Sequence, residues 1–306
     1  MHIPVLLAEV IDGLNVKPGG VYIDGTLGGA GHSSEILRRA GAEGTLLGID
    51  RDLEALDRSA LKLKALPGRA ILAHGEHGNV ARLAAEPGIG EADGILLDLG
   101  VSSDQLDTPG RGFSFRFDGP LDMRMNPETG QSAAELIASA TCEELTELLR
   151  KWGEEPQARR IASAITAAVR KGTVDTTAQL AQIVADATGR KNAARHPATR
   201  TFQALRMAVN DEMGNLERAL EDGLQLLKPG GRMAVITFES LTDRVVKRFF
   251  SEHEGRSVSL QQGGSRWEGR LPAVRRITRH PLVASDAECE ANPRSRSAKL
   301  RVAERI

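Results

Sequence analysis

A short glycine-rich stretch constrains this chain more than any other feature. The run Val21-Tyr-Ile-Asp24 predicts a β-strand that ends in an acid, and four glycines between Gly25 and Gly31 then lead into a helix predicted to end at Ala40. Glycine permits positive φ and lets a ligand approach the backbone closely. This order is typical of a nucleotide or adenosyl site at the carboxyl end of a first parallel strand. The alternative is a tight turn with no ligand.

A second acid favours the ligand interpretation. Asp50 ends the apolar run Gly44 to Ile49 and follows the loop by about twenty residues, where a ribose-binding carboxylate lies in doubly wound sheets. One ionised carboxylate can accept hydrogen bonds from two adjacent sugar hydroxyls. The alternative is that Asp50 only caps the helix that follows it.

Strands and helices alternate over the first hundred residues. Further apolar strands are predicted at 69–73 and 94–97, with helical patterns between the strands. This alternation predicts an α/β fold, a doubly wound parallel sheet with covered faces. The strand at 94–97 leads into Asp98, and ligands of open α/β sheets bind at the carboxyl edge. We therefore expect Asp24, Asp50 and Asp98 to converge there.

The middle of the chain interrupts the alternation. Helical patterns with three capping boxes run from Ser132 to Gly189 and predict an inserted all-helical domain at 131–210, between core segments 1–130 and 211–306. Apolar positions spaced by three and four predict one long helix from Phe202 to Leu227. The predicted return to the sheet is a strand at 232–238 and a final antiparallel pair at 276–281 and 298–303.

Composition excludes several classes of protein. The chain is 41% hydrophobic, and it has neither a run of eighteen apolar residues nor a signal-peptide pattern, so we expect a soluble, cytoplasmic protein without a membrane partner. Its two cysteines lack ligand spacing, which argues against a disulfide framework or a metal site. The net charge of -1 gives no global basic field.

Basic and aromatic residues are nevertheless concentrated locally. The tail from Arg266 holds ten Arg or Lys against five Asp or Glu, and a segment without acids carries Arg190, Lys191, Arg195, Arg200 and Arg206. Such runs indicate a nucleic-acid surface or only a solvated face. In the loop from Gln105 to Met125, three phenylalanines alternate among arginines, which suits stacking on an unpaired base. The alternative is that these rings fill a gap between domains.

Seven motifs together resemble the bacterial ribosomal RNA small subunit methyltransferase H family, over nearly the whole chain and in the family's order. They are Asp24-Gly-Thr-Leu-Gly-Gly-Ala-Gly-His-Ser33, Ile49-Asp-Arg-Asp52, Leu96-Leu-Asp-Leu-Gly-Val-Ser-Ser103, Arg111-Gly-Phe-Ser-Phe115, Gly119-Pro-Leu-Asp-Met-Arg-Met125, His196-Pro-Ala-Thr-Arg-Thr-Phe-Gln203 and Asn292-Pro-Arg-Ser-Arg-Ser297.

The resemblance implies a class I methyltransferase fold with an inserted helical domain for substrate recognition, and S-adenosyl-L-methionine as cofactor. It also implies methylation of the exocyclic N4 amine of one cytidine near the decoding centre of small-subunit (16S) ribosomal RNA. The expected partner is that RNA or the small ribosomal subunit, and a homodimer stays open. By position, cofactor contacts would fall on Ala30, Gly31, His32, Asp50, His77, Asp98 and Gln105. Asp98 is also the candidate catalytic proton acceptor.

The chain departs from the family pattern at several positions. Ala30 stands where glycine is frequent, His77 where phenylalanine is common, and Glu239 and Thr242 where histidine and glutamate are expected. Two other classes stay open. A nicotinamide-dependent oxidoreductase would use a similar loop and acid, and a non-catalytic RNA-binding assembly factor would carry the same basic segments.

Overall fold

The computed structural model describes residues 4–172, 174–189, 196–259, 265–268 and 270–306. Contacts divide the chain into two units, Met1–Gly100 with Gly214–Ile306, and Val101–Met213. Both predicted domain boundaries, at 131 and 210, fall inside the second unit, so the segment 101–130 groups with the helices rather than with the sheet.

The first unit is built on a sheet. In the described residues the strands are β1 Val21–Asp24, β2 Thr45–Asp50, β3 Arg69–His74, β4 Ala92–Asp98, β5 Leu227–Thr237, β6 Arg256–Ser259, β7 Ser265–Glu268, β8 Val274–Arg276 and β9 Lys299–Arg305. Seven of them form one sheet of order β3-β2-β1-β4-β5-β9-β8, while β6 and β7 form a separate hairpin. Strands β1 to β5 are parallel, and β9 runs antiparallel to both β5 and β8. The predicted doubly wound sheet is therefore confirmed. The final antiparallel pair is also present, but its first strand ends at Arg276, so the predicted strand at 276–281 is misplaced.

Helices connect the strands and make up the second unit. Those described are α1 Leu7–Leu14, α2 Gly31–Ala40, α3 Leu53–Lys64, α4 Val80–Ala85, α5 Ser103–Asp107, α6 Ala133–Ser139, α7 Cys142–Gly153, α8 Ala158–Lys171, α9 Thr177–Thr188, α10 Thr199–Val209, α11 Glu212–Leu226, α12 Ser240–Glu254 and α13 Asp286–Ala291. Among the described residues, no helix combines the length and the apolarity that crossing a bilayer would take.

The core of the first unit follows from the parallel arrangement. Central strands have both faces covered, so their residues are apolar and buried almost throughout, as in the β2 sequence Leu46-Leu47-Gly48-Ile49. Helices α1 and α2 turn apolar faces toward one side of the sheet, where Ile11 and Ile36 are in the same buried cluster as Leu46. This packing fixes the strand ends that carry the acids.

The second unit has its own core, and the segment 101–130 contributes to it. Phe113, Leu121 and Met123 belong to the same buried cluster as the inward faces of α6 to α10. The backbone N–H of Leu121 donates to the carbonyl of Asp175 at 2.7 Å. All three predicted capping boxes are present, at the starts of α6, α7 and α9. These contacts explain why the unit begins near residue 101.

The predicted single helix from Phe202 to Leu227 is wrong, because the chain forms α10 and α11 with a break at Asn210 and Asp211. Asp211 has a φ of 43°, a left-handed conformation that ends a helix. The Asn210 side chain accepts from the backbone N–H of Met125 and donates to the carbonyl of Met123, both at 2.8 Å. The asparagine therefore satisfies buried backbone groups of a distant segment, which helical spacing cannot reveal.

Candidate functional site

Three acids lie at the carboxyl edge of the sheet, as predicted. Asp24, Asp50 and Asp98 end β1, β2 and β4, which are adjacent in the order β2-β1-β4. The register pairs Asp24 with Gly48 on one side and with Leu96 on the other. Asp50 and Asp98 thus extend two residues beyond Asp24, which leaves Asp24 deeper in the fold.

Asp24 anchors the glycine loop rather than facing a ligand. It is 1% exposed, and its carboxylate accepts from Ser33 Oγ at 2.7 Å and from the backbone N–H of Thr26 at 3.0 Å. Thr26 Oγ1 in turn accepts from the backbone N–H of Asp98 at 2.6 Å. Burial raises the pKa of Asp24 despite these hydrogen bonds. The acid therefore ties the loop, α2 and the end of β4 together.

The loop needs small residues for two different reasons. A Cβ on Gly25 would lie 2.7 Å from the Leu97 side chain and 3.1 Å from the His77 side chain, so glycine allows the strand ends to approach. Gly28 and Ala30 have positive φ, of 51° and 55°. For Ala30 this conformation costs about 1 kcal/mol. Ala30 gives α2 no side-chain cap, so the first-turn N–H groups of this helix end are suited to anionic or polar ligand atoms.

Asp50 lies beside the glycine loop and accepts fewer hydrogen bonds from it than a carboxylate can. Its carboxylate accepts from the backbone N–H of Gly28 at 2.7 Å and from that of Asp52 at 2.9 Å. Burial raises the pKa of Asp50 although both bonds favour the charged form. A carboxylate has about four acceptor positions, so lone pairs remain for vicinal hydroxyls. This geometry fits the predicted ribose contact, and it also shows Asp50 shaping the loop.

His77 is a buried neutral ring in the turn after β3. Burial lowers its pKa to about 3, with contributions from the positive charges of Arg51 and Arg218. Its Nε2 has no hydrogen-bond partner among the described residues. A flat, uncharged ring with one unused nitrogen can contact an aromatic base by stacking or by a hydrogen bond.

Asp98 combines burial with an unused acceptor. Burial raises its pKa to about 6; nearby His32 acts in the opposite direction, and nearby Asp24 raises it further. Within the described part of the chain, Asp98 Oδ1 has no hydrogen-bond partner, while Oδ2 lies 3.7 Å from His32 Nδ1. A carboxyl group that titrates near neutrality with a free oxygen is suited to proton transfer.

The predicted contacts divide between the two units. Those at Ala30, Gly31, His32, Asp50, His77 and Asp98 lie in the first unit, whereas Gln105 lies in the second. Gln105 is buried in a capping box at the start of α5, where its side chain accepts from the backbone N–H of Ser102 at 3.1 Å. The sequence did not single out Thr26 or Ser33 as part of the site. It also did not single out the carbonyl of Val5, which lies 2.8 Å from His32 Nε2. A hydroxyl two residues after a strand-end acid is the signal that could have indicated Thr26.

Several basic residues of the expected RNA surfaces have other roles in the structure. Arg206 is buried and forms an ion pair with Glu212 at 2.7 Å, and Arg301 does the same with Asp243 at 2.6 Å. Arg200 is exposed. Arg190, Lys191 and Arg195 lie outside the described residues.

The three phenylalanines of the loop from Gln105 to Met125 differ in exposure. Phe113 is buried at 7% exposure, and Phe115 packs on the rings of His196 and Phe202, at centroid distances of 4.5 and 4.9 Å. Phe117 is 64% exposed. Two of the three rings therefore belong to the core of the second unit, and one is accessible for stacking.

Comparison with known proteins identifies the family. The model of the MraW methylase family matches residues 1–306. The chain belongs to the MraW methylase family. Relatives named ribosomal RNA small subunit methyltransferase H occur in Geobacter sulfurreducens, at 48% identity, and in Heliobacterium modesticaldum, at 46% identity. The matches cover 100% of this chain and 99% and 98% of the relatives. A solved methyltransferase from Streptococcus mutans matches at 12% identity with a TM-score of 0.45, too low to argue from.

The methylase site suits its cofactor. With the family shown, the sheet is that of a class I methyltransferase and the cofactor is S-adenosyl-L-methionine. This cofactor carries ribose hydroxyls, an adenine and a positively charged sulfonium. Asp50 offers acceptors for the hydroxyls, His77 an unused nitrogen, and three buried carboxyl groups of raised pKa favour a cation beside them. The residues present therefore fit the group.

The departures at Glu239 and Thr242 have structural roles here. Glu239 is the residue before α12, and Thr242 is buried and donates through Oγ1 to the carbonyl of Glu239 at 3.0 Å. Threonine at this position thus stabilises the first turn of α12.

Proposed function

We propose that this methylase transfers the methyl group of S-adenosyl-L-methionine to the exocyclic N4 amine of a cytidine in small-subunit (16S) ribosomal RNA, near the decoding centre. The family match and the curated relatives' names support the ribosomal RNA target. The observation that carries the chemistry is Asp98, an acid at the end of β4 with a pKa of about 6 and a buried oxygen that has no hydrogen-bond partner in the described part of the chain.

The protein's part in the reaction is mainly positioning and proton transfer. When bound, S-adenosyl-L-methionine supplies an electrophilic methyl group on a positively charged sulfur. Asp50 and the α2 amides hold the polar parts of the cofactor, and His77 contacts its base. The cytosine amine is a weak nucleophile because its lone pair is delocalised into the ring. Asp98 accepts a proton from this amine as the new bond forms. General-base catalysis of this kind raises a reaction rate about a hundredfold or more.

RNA capture is assigned to the second unit. Phe117 is an exposed ring next to the exposed Arg116, and its carbonyl accepts from Thr177 Oγ1 at 3.3 Å, which fixes the loop to the start of α9. A base stacked on an aromatic ring gains about 1–3 kcal/mol. Arg200 adds a positive charge for the phosphate backbone.

The decisive experiment is methyl transfer to defined substrates. Purified protein and labelled cofactor are incubated separately with naked small-subunit RNA and with small subunits from cells that lack the gene. The products are then mapped by mass spectrometry of nucleosides. N4-methylcytidine at a single position supports the proposal, and the more active substrate identifies naked RNA or the assembled subunit as the natural partner. Asp98→Asn provides a matched variant of nearly the same shape.

Two results would contradict the proposal. Binding of RNA without any labelled nucleoside would indicate a non-catalytic assembly factor. Label on a base other than cytosine would support methyltransferase activity but exclude the N4 amine of cytidine as its target. Thermal stabilisation by S-adenosylhomocysteine but not by NAD separates the proposal from the oxidoreductase alternative.

A further inference from the structure

The His32 imidazole is held between a backbone carbonyl and Asp98. Its Nε2 lies 2.8 Å from the carbonyl oxygen of Val5, and its Nδ1 lies 3.7 Å from Asp98 Oδ2. A carbonyl oxygen can only accept a hydrogen bond, so this contact requires the hydrogen on Nε2. The neutral ring therefore turns a lone pair, and not an N–H group, toward Asp98.

This orientation makes the pair a proton acceptor. A lone pair and an ionised carboxylate repel each other, whereas one proton added to either group makes the contact attractive. The distance of 3.7 Å is longer than a hydrogen bond, so the two groups are close without already sharing one. The His32 ring is held by the carbonyl of Val5, and the backbone of Asp98 is fixed because its N–H group donates to Thr26 Oγ1.

The surroundings of the pair favour proton uptake. Asp24, at the end of β1, interacts with both Asp98 and His32. Its negative charge disfavours ionised Asp98. The amino-terminal segment packed on α2 presents Pro4 and the Val5 carbonyl, which carry no charge.

We propose that His32 is a positioning residue for Asp98 and takes up, at Nδ1, the proton that Asp98 accepts from the target amine. The inference rests on the proposed function, which supplies the amine. The bond from methyl carbon to N4 forms as the bond from methyl carbon to sulfur breaks, and that electron pair stays on sulfur. An N–H bond of the amine breaks, and its proton passes to Asp98 and then to Nδ1. The step leaves Asp98 ionised and the imidazole cationic.

The first test uses the protein alone. Nitrogen-15 NMR of the imidazoles, with His32→Gln to assign the signal, should show His32 protonated at Nε2 above neutral pH and gaining its second proton at Nδ1. Asp98→Asn should lower the midpoint of that step measurably, because an opposite charge is lost. A hydrogen on Nδ1 in the neutral form, or a midpoint that Asp98→Asn leaves unchanged, would overturn the inference.

His253 is a matched control. It is also buried, with Nδ1 2.8 Å from the carbonyl of Phe249, while Nε2 lies 2.8 Å from Arg270 Nη1 and 3.6 Å from Glu221. It lies in the last turn of α12, about 20 Å along a helix that starts near the carboxyl edge. Its titration should be the same in the wild type and in Asp98→Asn.

The second test is the pH profile of single-turnover methyl transfer. His32→Gln keeps an N–H group for the Val5 carbonyl but cannot take up a proton. We expect its rate to fall about tenfold or more, and the acidic limb to move to higher pH because the cationic imidazole that favours ionised Asp98 is absent. The rates are compared at saturating S-adenosyl-L-methionine, so that any change in cofactor affinity does not enter the comparison. His253→Gln should retain the wild-type profile.

A wild-type profile in His32→Gln would refute the role of His32. If the wild type itself modifies no RNA, the proposed function fails, and the NMR result still decides whether His32 and Asp98 exchange a proton.

Discussion

Replacing Asp98 with asparagine should make the protein more stable and less active. The structure buries this carboxyl group beside Asp24 and leaves one of its oxygens without a hydrogen bond from the described residues. An amide of the same shape carries no charge, and its NH2 group can donate to the lone pair on His32 Nδ1. The change therefore removes an electrostatic penalty, which the proposed role of Asp98 in proton transfer would explain.

The magnitude follows from the pKa of Asp98. This pKa rises from 3.8 to about 6 on folding, and one pKa unit corresponds to about 1.4 kcal/mol. The product, about 3 kcal/mol, is an upper value for the cost of ionised Asp98 above pH 7. The side chain is 27% exposed, so solvent reduces the expected gain from Asp98→Asn to about 2 kcal/mol at pH 8. Because the folded pKa is the higher one, the gain shrinks to about 1 kcal/mol at pH 5 and disappears below the unfolded pKa.

Urea unfolding at pH 5 and pH 8 measures this difference. The two tryptophans are Trp152 in α7 and Trp267 in β7, so a Trp152→Phe background leaves a fluorescence signal from the first unit alone. Single-turnover transfer on the same samples should fall about a hundredfold, the lower end of the range for loss of a general base.

Replacement of Asp93 is a control in which the free energy of unfolding should change in the opposite direction. It accepts from the backbone N–H of Val21 at 2.8 Å and from Lys228 at 2.9 Å, and these contacts outweigh burial and hold its pKa below the usual range. Asp93→Asn should lower the free energy of unfolding at pH 8 by about 1 kcal/mol, and less at low pH. If Asp98→Asn gave no gain at pH 8, or a gain that did not grow between pH 5 and pH 8, the electrostatic reasoning would be wrong.

Three further predictions concern other parts of the chain. His77→Phe removes a buried nitrogen that has no partner in the described residues, and it should raise the urea-unfolding free energy by about 1 kcal/mol; a loss would show that Nε2 is satisfied. Arg301→Met leaves Asp243 buried without its two-point partner and should cost about 3 kcal/mol, whereas Lys299→Met, at 3.6 Å from the same acid, should cost under about 1 kcal/mol. Phe117→Ala should weaken RNA binding about tenfold in a filter assay without affecting stability. Phe115→Ala should instead destabilise the second unit by about 3 kcal/mol. Equal RNA affinities of Phe117→Ala and the wild type would contradict the stacking role.

The sequence predicts the sheet edge well because parallel strands follow a strong rule. Each of the three strands is an apolar run that ends in an acid, and parallel strands bring their carboxyl ends to one side. The different functions of these acids were not predictable. Strand register sets Asp24 two residues below Asp50 and Asp98, so it contacts Ser33 and Thr26 instead of facing outward.

Long-range contacts account for the predictions that failed. Helical spacing predicted one helix through Asn210, but the hydrogen bonds of that side chain to Met123 and Met125 come from a segment more than eighty residues earlier. The alternating phenylalanines gave no indication of which ring is buried. Phe113 and Phe115 fill the core of the second unit, and only the side chain of Phe117 is left largely exposed. Hydrophobic periodicity describes a single helix or loop, whereas the helix break and the burial of each ring depend on contacts with other segments.

The pattern of pKa shifts itself locates the site. Among the described carboxyl groups with a shifted pKa, the raised ones are Asp24, Asp50 and Asp98, all at the same sheet edge. Half-buried Asp93 and buried Asp243 instead have pKa values held low by Lys228 and Arg301 despite burial. A positive charge bound beside three such acids would favour their ionised forms. A sulfonium cofactor supplies that charge, so the same acids that weaken the empty fold strengthen binding.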